Sequence, residues 1–224
     1  MNIMAWDLIW EEVFQTQEWG KYPSEDLIRF IARNYYAKSN RKEVKILEVG
    51  CGTGANLWYI AREGFTVYGI DGSETAVKRA QNRLNTEVPE WSGELVVGDI
   101  VTLPFEACTF DAVIDNEAVY ANSFENSMKI YDEVYRVLKK DGKLFSRTFA
   151  NNSWGDNTGE NVGYNAWIPT VGPLNNKGFS RFSSIEDIRN LLAKFEIDEL
   201  EKLERTYMNL EKKVIEWLVV AVKK

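Results

Sequence analysis

The chain of 224 residues contains no histidine. That absence removes a histidine general base, any histidine-containing catalytic triad and every histidine-ligated metal site. Cysteine is nearly absent as well. Cys51 and Cys108 cannot form a CxxC pair, so neither a disulfide framework nor a metal cluster is expected. Free thiols suit a reducing compartment, and the expected location is the cytoplasm. No run approaches about 18 apolar residues, so no membrane-crossing helix is expected. The first residues, "MNIMAWDLIWEE", carry Asp7, Glu11 and Glu12 and lack the basic start and apolar core of a signal peptide. Dense basic runs are missing too; the longest cluster is Arg41, Lys42 and Lys45. With a net charge of −7, a nucleic-acid partner is disfavoured, because such a partner requires a basic face that displaces phosphate counterions.

Aromatic residues are plentiful: they make up 13% of the chain and include eight tryptophans, many outside the periodic segments, where they can line a site. The first 40 residues read as two helices, "MAWDLIWEEVFQ" and "SEDLIRFIARNYYAK", broken at Gly20 to Pro23. In the second, Leu27, Ile28, Ile31 and Tyr35 fall on one face. From residue 44, strands alternate with helices: "VKILEV", "FTVYGID", "GELVVGDI", "FDAVIDN" and "KLFSRTF" are the strands. This alternation implies a mostly parallel sheet covered on both faces. The helix "NSMKIYDEVYRVLKKDG" is read with Met128, Tyr131, Val134 and Leu138 on one stripe and Gly142 as its stop. The stretch from Ala150 to Phe182 has no period and is rich in Asn, Gly and aromatics, which marks a functional loop. A helix follows, with Ser183 and Glu186 as its predicted capping box. Two strands then close the chain, joined by a turn near Asn209 to Lys212.

"ILEVGCGTGAN" (Ile46 to Asn56) is an apolar strand opening into glycines on alternate positions. Gly50-x-Gly52-x-x-Ala55 fits the dinucleotide fingerprint, and Glu48-x-Gly50-x-Gly52-x-Gly54 fits an S-adenosylmethionine loop. Asp71 ends the second strand, where a carboxylate accepts ribose hydroxyls, and it suits both cofactors. Three features separate them. Glu48 would repel a pyrophosphate and attract an ammonium or sulfonium. "VVGDI" places Asp99 and the N–H of Ile100 where an adenine can be read. No histidine supports hydride transfer.

With these motifs in order, the sequence resembles the class I S-adenosylmethionine-dependent methyltransferases. The match runs over about residues 44 to 150 through "LEVGCGTGAN", "VYGIDGSE", "VVGDIVTLPF", "FDAVIDN" and "VYRVLKKDGKLF". The resemblance implies an α/β fold with a Rossmann-like, doubly wound seven-stranded sheet in the order 3-2-1-4-5-7-6, strand 7 antiparallel. It implies an N-terminal helical cap over residues 1–43, then a cofactor-binding domain over 44–224 with a lid insertion at about 150–182. S-adenosyl-L-methionine is the implied cofactor. Glu48, Gly50, Cys51, Gly52, Gly54 and Asn56 are expected at its methionine end, with Asp71, Gly72 and Ser73 at the ribose, Asp99 and Ile100 at adenine, and Asn116 facing the methyl group. The family often has a large apolar residue after the ribose acid. Gly72 departs from this, and Trp58 is the candidate to cover the adenine face in its place.

The expected reaction is methyl transfer to an O or N atom of a polar small molecule such as a sugar, a polysaccharide precursor or a secondary metabolite. Candidate bases are Glu117, Tyr120 and Tyr22. Candidate acceptor-binding residues are Trp19, Lys21, Tyr22, Tyr164, Trp167 and Arg181, with Lys177 in the same lid and Lys21 or Arg181 meeting an anionic group. The expected assembly is a monomer or homodimer. An NAD(P)-dependent oxidoreductase is the alternative outside this fold's chemistry. An RNA or protein methyltransferase is the alternative within it, opposed by the acidity and by "DNEA" in place of an Asn-Pro-Pro-Tyr type motif.

Overall fold

Two short helices, α1 (Ile9–Thr16) and α2 (Glu25–Tyr35), lead into strand β1 (Lys45–Val49). The alternating part runs α3 (Ala55–Arg62), β2 (Thr66–Asp71), α4 (Glu74–Glu87), β3 (Gly93–Val97), β4 (Phe110–Asn116), α5 (Phe124–Val137) and β5 (Leu138–Phe149). Three small strands follow, β6 (Glu160–Gly163), β7 (Ala166–Ile168) and β8 (Ser180–Arg181), then α6 (Ile185–Leu191), β9 (Glu196–Tyr207) and β10 (Lys212–Val222). The computed structural model describes residues 6–224. The predicted first helix begins at Met4, so its first two residues lie outside the described residues.

The large sheet has the order β3-β2-β1-β4-β5-β10-β9, with β10 antiparallel to both its neighbours. Once the three small strands are passed over, this is the order that the resemblance implies. Successive residues of β1 point to opposite faces, and both faces are buried. Leu47 and Val49 join Ile130, Val134 and Val137 of α5 in one core, while Ile46 joins Leu27 and Ile31 of α2 and Leu57 and Ile60 of α3 in the other. Each fully buried aliphatic side chain of this kind stabilises the fold by roughly 1.5–3 kcal/mol. The outer strand β9 sets charged residues, mostly acids with Lys202 and Arg205, between the half-buried Ile197, Leu200 and Leu203, which discourages pairing with another chain at that edge.

Local details differ from the sequence reading. The buried face of α5 is Ser127, Ile130, Tyr131, Val134 and Val137, with Met128 exposed, and the helix ends at Val137, well before Gly142. In α2, Phe30 takes the buried place expected for Ile28. The capping box of α6 is Ser184 with Asp187, one residue on from the predicted pair. Ser183 cannot cap, because its hydroxyl is buried and accepts from Arg181. The stretch after β5 is ordered into the sheet β6-β7-β8. Its turns place Asn152, Asn157, Asn165 and Asn176 in the left-handed region, which asparagine tolerates better than most residues. Closely spaced turns of this kind leave no room for a hydrophobic period.

Candidate active site at the carboxyl ends of the strands

In an open α/β sheet the ligand crevice lies beyond the carboxyl ends of the strands, where the strand order reverses. Here that point is between β1 and β4, and a cavity of about 410 Å³ opens there. The volume is within the usual range of small-molecule sites, about 300–1,000 Å³.

The floor is the loop after β1. Gly50 has φ +67°, and a Cβ there would meet Ala118 at 2.3 Å; Gly54 has φ +78° and faces Ala80 at 2.8 Å. Only glycine combines that backbone with such close packing, so the loop can press against its neighbours, with the N–H groups of Gly50 and Cys51 donating to the Ile70 carbonyl and that of Gly54 to the Cys51 carbonyl. Glu48 is buried at the end of β1. Its Oε1 accepts from Asn56 Nδ2, and its Oε2 has no hydrogen-bond partner among the described residues. Burial, with Asp71 and Asp115 nearby, pushes the Glu48 carboxyl up to about 8. The buried Asn116 Oδ1 is likewise unpartnered among the described residues. Asn122, which also lines the cavity, has an unpartnered Oδ1 among the described residues as well, and three orphaned acceptors beside one cavity mark a place for a ligand that donates hydrogen bonds or carries positive charge.

Asp71 closes the loop from the β2 side. Its Oδ2 accepts from Gly52 N at 2.8 Å and its Oδ1 from Ser73 N at 2.9 Å. Burial raises its pKa although these two N–H groups pull it down. Cys51 and Gly72 line the same cavity. Burial pushes the Cys51 thiol well up, so it lines the floor as an inert group.

Other predicted cofactor positions play supporting parts. Ser73 is fully buried as the N-cap of α4, and its hydroxyl donates to Glu11. Gly54 is the N-cap of α3. Asp99 accepts from Val101 N through Oδ1, which fixes the turn after β3, while its neighbours Gly98 and Ile100 line the cavity.

The turn after β4 is organised by Asp115, which the sequence reading missed. Its Oδ1 accepts from the N–H groups of Ala118 and Val119, and its Oδ2 from the hydroxyls of Tyr131 and Ser146. That turn holds Glu117 at φ +59°, an uncommon backbone for a non-glycine residue and a mark of functional sites. Glu117 lines the cavity and pairs with Arg147 at 3.0 Å, and Arg147 also holds Glu216 at 2.6 Å. Burial pushes the Glu117 carboxyl up to about 8; Arg147 opposes this and Glu216 adds to it. Tyr120 lines the cavity too, but burial and the nearby Glu117 drive its phenol far above the neutral range, which removes it as a base. Tyr22 sits exposed on the rim with its ring edge against Trp58.

The roof comes from both flanks of the alternating region. Trp6, Trp10, Phe14 and Trp19 of the N-terminal segment line the cavity, facing Phe149, Pro173, Leu174 and Lys177. Trp10, Phe14 and Trp19 are in mutual edge or tilted contact at 5.4–5.9 Å. Glu11 accepts from the hydroxyls of Ser73 and Thr75 and so fastens the segment to the start of α4. Lys177 donates to Gln17 Oε1 at 2.7 Å, joining the two halves of the roof. Of these roof residues only Trp19 and Lys177 were read from sequence. A signal existed: Trp6, Trp10 and Phe14 are spaced by four, one stripe at helical period.

Several predicted aromatic and cationic positions are elsewhere. Arg181 is buried within the protein and donates to the Asn122 carbonyl and the Ser127 and Ser183 hydroxyls, so it braces the insertion and meets no ligand. Tyr164 is exposed and donates to Asp187 on α6. Lys21 is exposed, and only its neighbours Gly20 and Tyr22 reach the cavity. Trp167 packs behind the wall, against the cluster of Tyr120, Phe149 and Leu174. Trp58 does not cover Gly72 either; it stacks with Arg62 and Arg83 at 4.8 and 4.4 Å.

Residues 47–146 match a family described as a methyltransferase domain. Among curated proteins, the chain is 31% identical over 139 residues to a sterol 24-C-methyltransferase of Schizosaccharomyces pombe, covering 59% of this chain and 35% of that protein. It is 27% identical over 172 residues to a demethylmenaquinone methyltransferase of Thermotoga maritima, covering 75% of this chain and 72% of that one. The chain thus spans only about a third of the length of the sterol methyltransferases it matches. Among solved structures, an S-adenosylmethionine-dependent methyltransferase of Methanosarcina mazei superposes with a TM-score of 0.68 at 19% identity, over 90% of this chain and 98% of that one.

Proposed function

We propose that this chain, whose residues 47–146 match a methyltransferase domain, is a class I S-adenosylmethionine-dependent methyltransferase and that it methylates a small molecule seated under the aromatic roof. The observation that carries this reading is one cavity joining the orphaned Glu48 Oε2 and Asn116 Oδ1 to Glu117 and the roof rings.

The residues fit the cofactor. Glu48 suits its ammonium, Asp71 its ribose hydroxyls, and Gly98 and Ile100 its base. When bound, the cofactor supplies a methyl group whose bond to sulfur breaks as the acceptor's new bond forms, the electron pair staying on sulfur and the acceptor left with one proton to shed. Glu117 takes that proton. Its raised pKa makes the carboxylate a stronger base than an ordinary glutamate, and Arg147 keeps it aimed. The roof excludes water and aligns the acceptor, which is most of what a transfer from so good a leaving group requires.

The cap formed by the residues before β1 and the insertion near 150–182 act together as the cover. Their aromatic lining favours an acceptor with an apolar or flat body over a sugar, and Lys177 offers one positive contact at the far wall. The names of the relatives, a sterol and a demethylmenaquinone methyltransferase, run in the same direction. The acidic crevice and the net charge of −7 count against RNA, and Glu48 counts against a pyrophosphate cofactor. Calorimetry with S-adenosylhomocysteine and with NADH tests the cofactor: binding of the first and not the second is expected, and the reverse would overturn the reading. Mass-spectrometric screening of apolar ring-bearing acceptors for a gain of one methyl group tests the substrate class. Transfer confined to sugars would exclude it.

A further inference from the structure

Gly72 stands at the mouth of the cavity with no side chain, and its place is already taken. A Cβ built on Gly72 would fall 2.3 Å from Cδ2, 2.6 Å from Cγ and 2.7 Å from Cε2 of Trp6. The indole therefore lies against the Gly72 backbone, in the volume that any larger residue at position 72 would fill. Trp6, Asp71, Gly72, Gly98 and Ile100 line the same end of the cavity. That end is built from the tips of β2 and β3, at the far side of the glycine loop from Glu117.

The indole is delivered there by fixed contacts on both sides. Glu11, further along in α1, is bound to Ser73 and Thr75 directly after Gly72. Asp7 accepts from Ile9 N at 3.0 Å just before α1, and its carboxylate abuts Gly178 of the insertion. A glycine at 72 and a tryptophan at 6 are thus complementary: one supplies the gap and the other fills it from outside the sheet.

We propose that Trp6 is the stacking platform for the flat base of the cofactor, so that this end of the site is completed by the N-terminal segment. The inference rests on the reading of the cofactor as S-adenosylmethionine. An aromatic face against a nucleobase contributes about 1–3 kcal/mol when measured by alanine substitution, which corresponds to roughly 5- to 150-fold in affinity.

The test is calorimetric titration of S-adenosylhomocysteine and of adenosine into wild type, Trp6→Ala, Trp6→Phe and the double variant Trp6→Ala/Gly72→Leu, with a melting curve for each. Trp6→Ala is expected to weaken both ligands by about tenfold or more while the melt stays cooperative. Trp6→Phe is expected to keep most of the affinity. The double variant is expected to recover part of it, because its leucine side chain occupies the volume that the indole vacates. Unchanged affinity of Trp6→Ala for either ligand, or weakening of S-adenosylhomocysteine with adenosine untouched, overturns the assignment to the base. Wild type that binds neither ligand overturns the cofactor reading itself, a result distinct from failure of the variant series.

Discussion

The two halves of the site are made in different ways. The half around Glu48, Gly50 to Gly54, Asp71 and Asn116 consists of backbone N–H groups and buried carboxylates at the ends of strands fixed on both faces. The half around Trp6, Trp10, Phe14 and Leu174 consists of rings and apolar groups carried by segments that flank the sheet in sequence and meet only in space. A rigid polar floor suits a ligand that never varies. An apolar roof on separate segments can be recast for another acceptor while the floor stays as it is. The contrast also separates the expected phenotypes: floor substitutions and Trp6 act on cofactor affinity or on chemistry, substitutions at the other roof residues Trp10, Phe14 and Leu174 on acceptor choice, and braces such as Arg181 on stability alone.

The largest effect is expected at the junction of the two halves. Glu117→Gln should lower turnover with a true acceptor by about 10²- to 10⁴-fold, the usual worth of a general base. Its affinity for S-adenosylhomocysteine should stay near wild type in calorimetry. A variant that turns over normally would move Glu117 from chemistry to structure. Next, Glu48→Gln keeps the shape of the floor and removes its charge. S-adenosylhomocysteine affinity should fall by about 30- to 1,000-fold, as expected when one partner of a buried charge pair is lost.

Smaller and of another kind is Arg181→Met. It leaves the Ser127 and Ser183 hydroxyls and the Asn122 carbonyl without their donor, so the melt should drop by an amount equal to about 1–3 kcal/mol. Below its melting point the variant should keep wild-type KM for the acceptor. A raised KM with an unchanged melt would restore Arg181 to the acceptor site.

The mildest test uses pH. Glu48 and Glu117 have ordinary values of 4.5 when unfolded and about 8 when folded, so the folded state holds their protons to higher pH. Their contribution to the stability of the ligand-free protein should therefore be fullest below about 4.5 and fall as pH rises to about 8. Urea denaturation at several pH values reads this slope, and Glu48→Gln should flatten it. The same titration predicts tighter S-adenosylhomocysteine binding toward pH 8, as the Glu48 carboxyl loses its proton and gains a charge for an ammonium to meet.

The floor was legible because its information is local. Each acid ends its own apolar run, as Glu48 ends "ILE" and Asp71 ends "YGID", and the glycines follow at fixed spacing. Strand order followed only from the family resemblance that these motifs carry. The roof was legible only in part: its two segments, Trp19 and Lys177 were read, but contact between residues 17 and 177, or 6 and 72, leaves no mark on either stretch alone. Arg181 shows the converse. A lone cation among polar and aromatic residues reads as a ligand contact, yet three neutral oxygen acceptors inside the protein absorb it. At Ser183 and Ser184 either hydroxyl could have capped α6. The choice was made by Arg181, which engages Ser183, and no local rule contains that fact.

Asp71 holds the N–H of Ser73, and the hydroxyl of Ser73 holds Glu11, so the acid that ends β2 and the N-terminal segment share one serine. Thermodynamic reciprocity then applies. Whatever factor a docked cap adds to the grip on a molecule at Asp71, that molecule adds to the docking of the cap. Hydrogen exchange at the amides of α1 should consequently slow on addition of S-adenosylhomocysteine, by the same ratio by which removing the Glu11 carboxylate weakens that ligand.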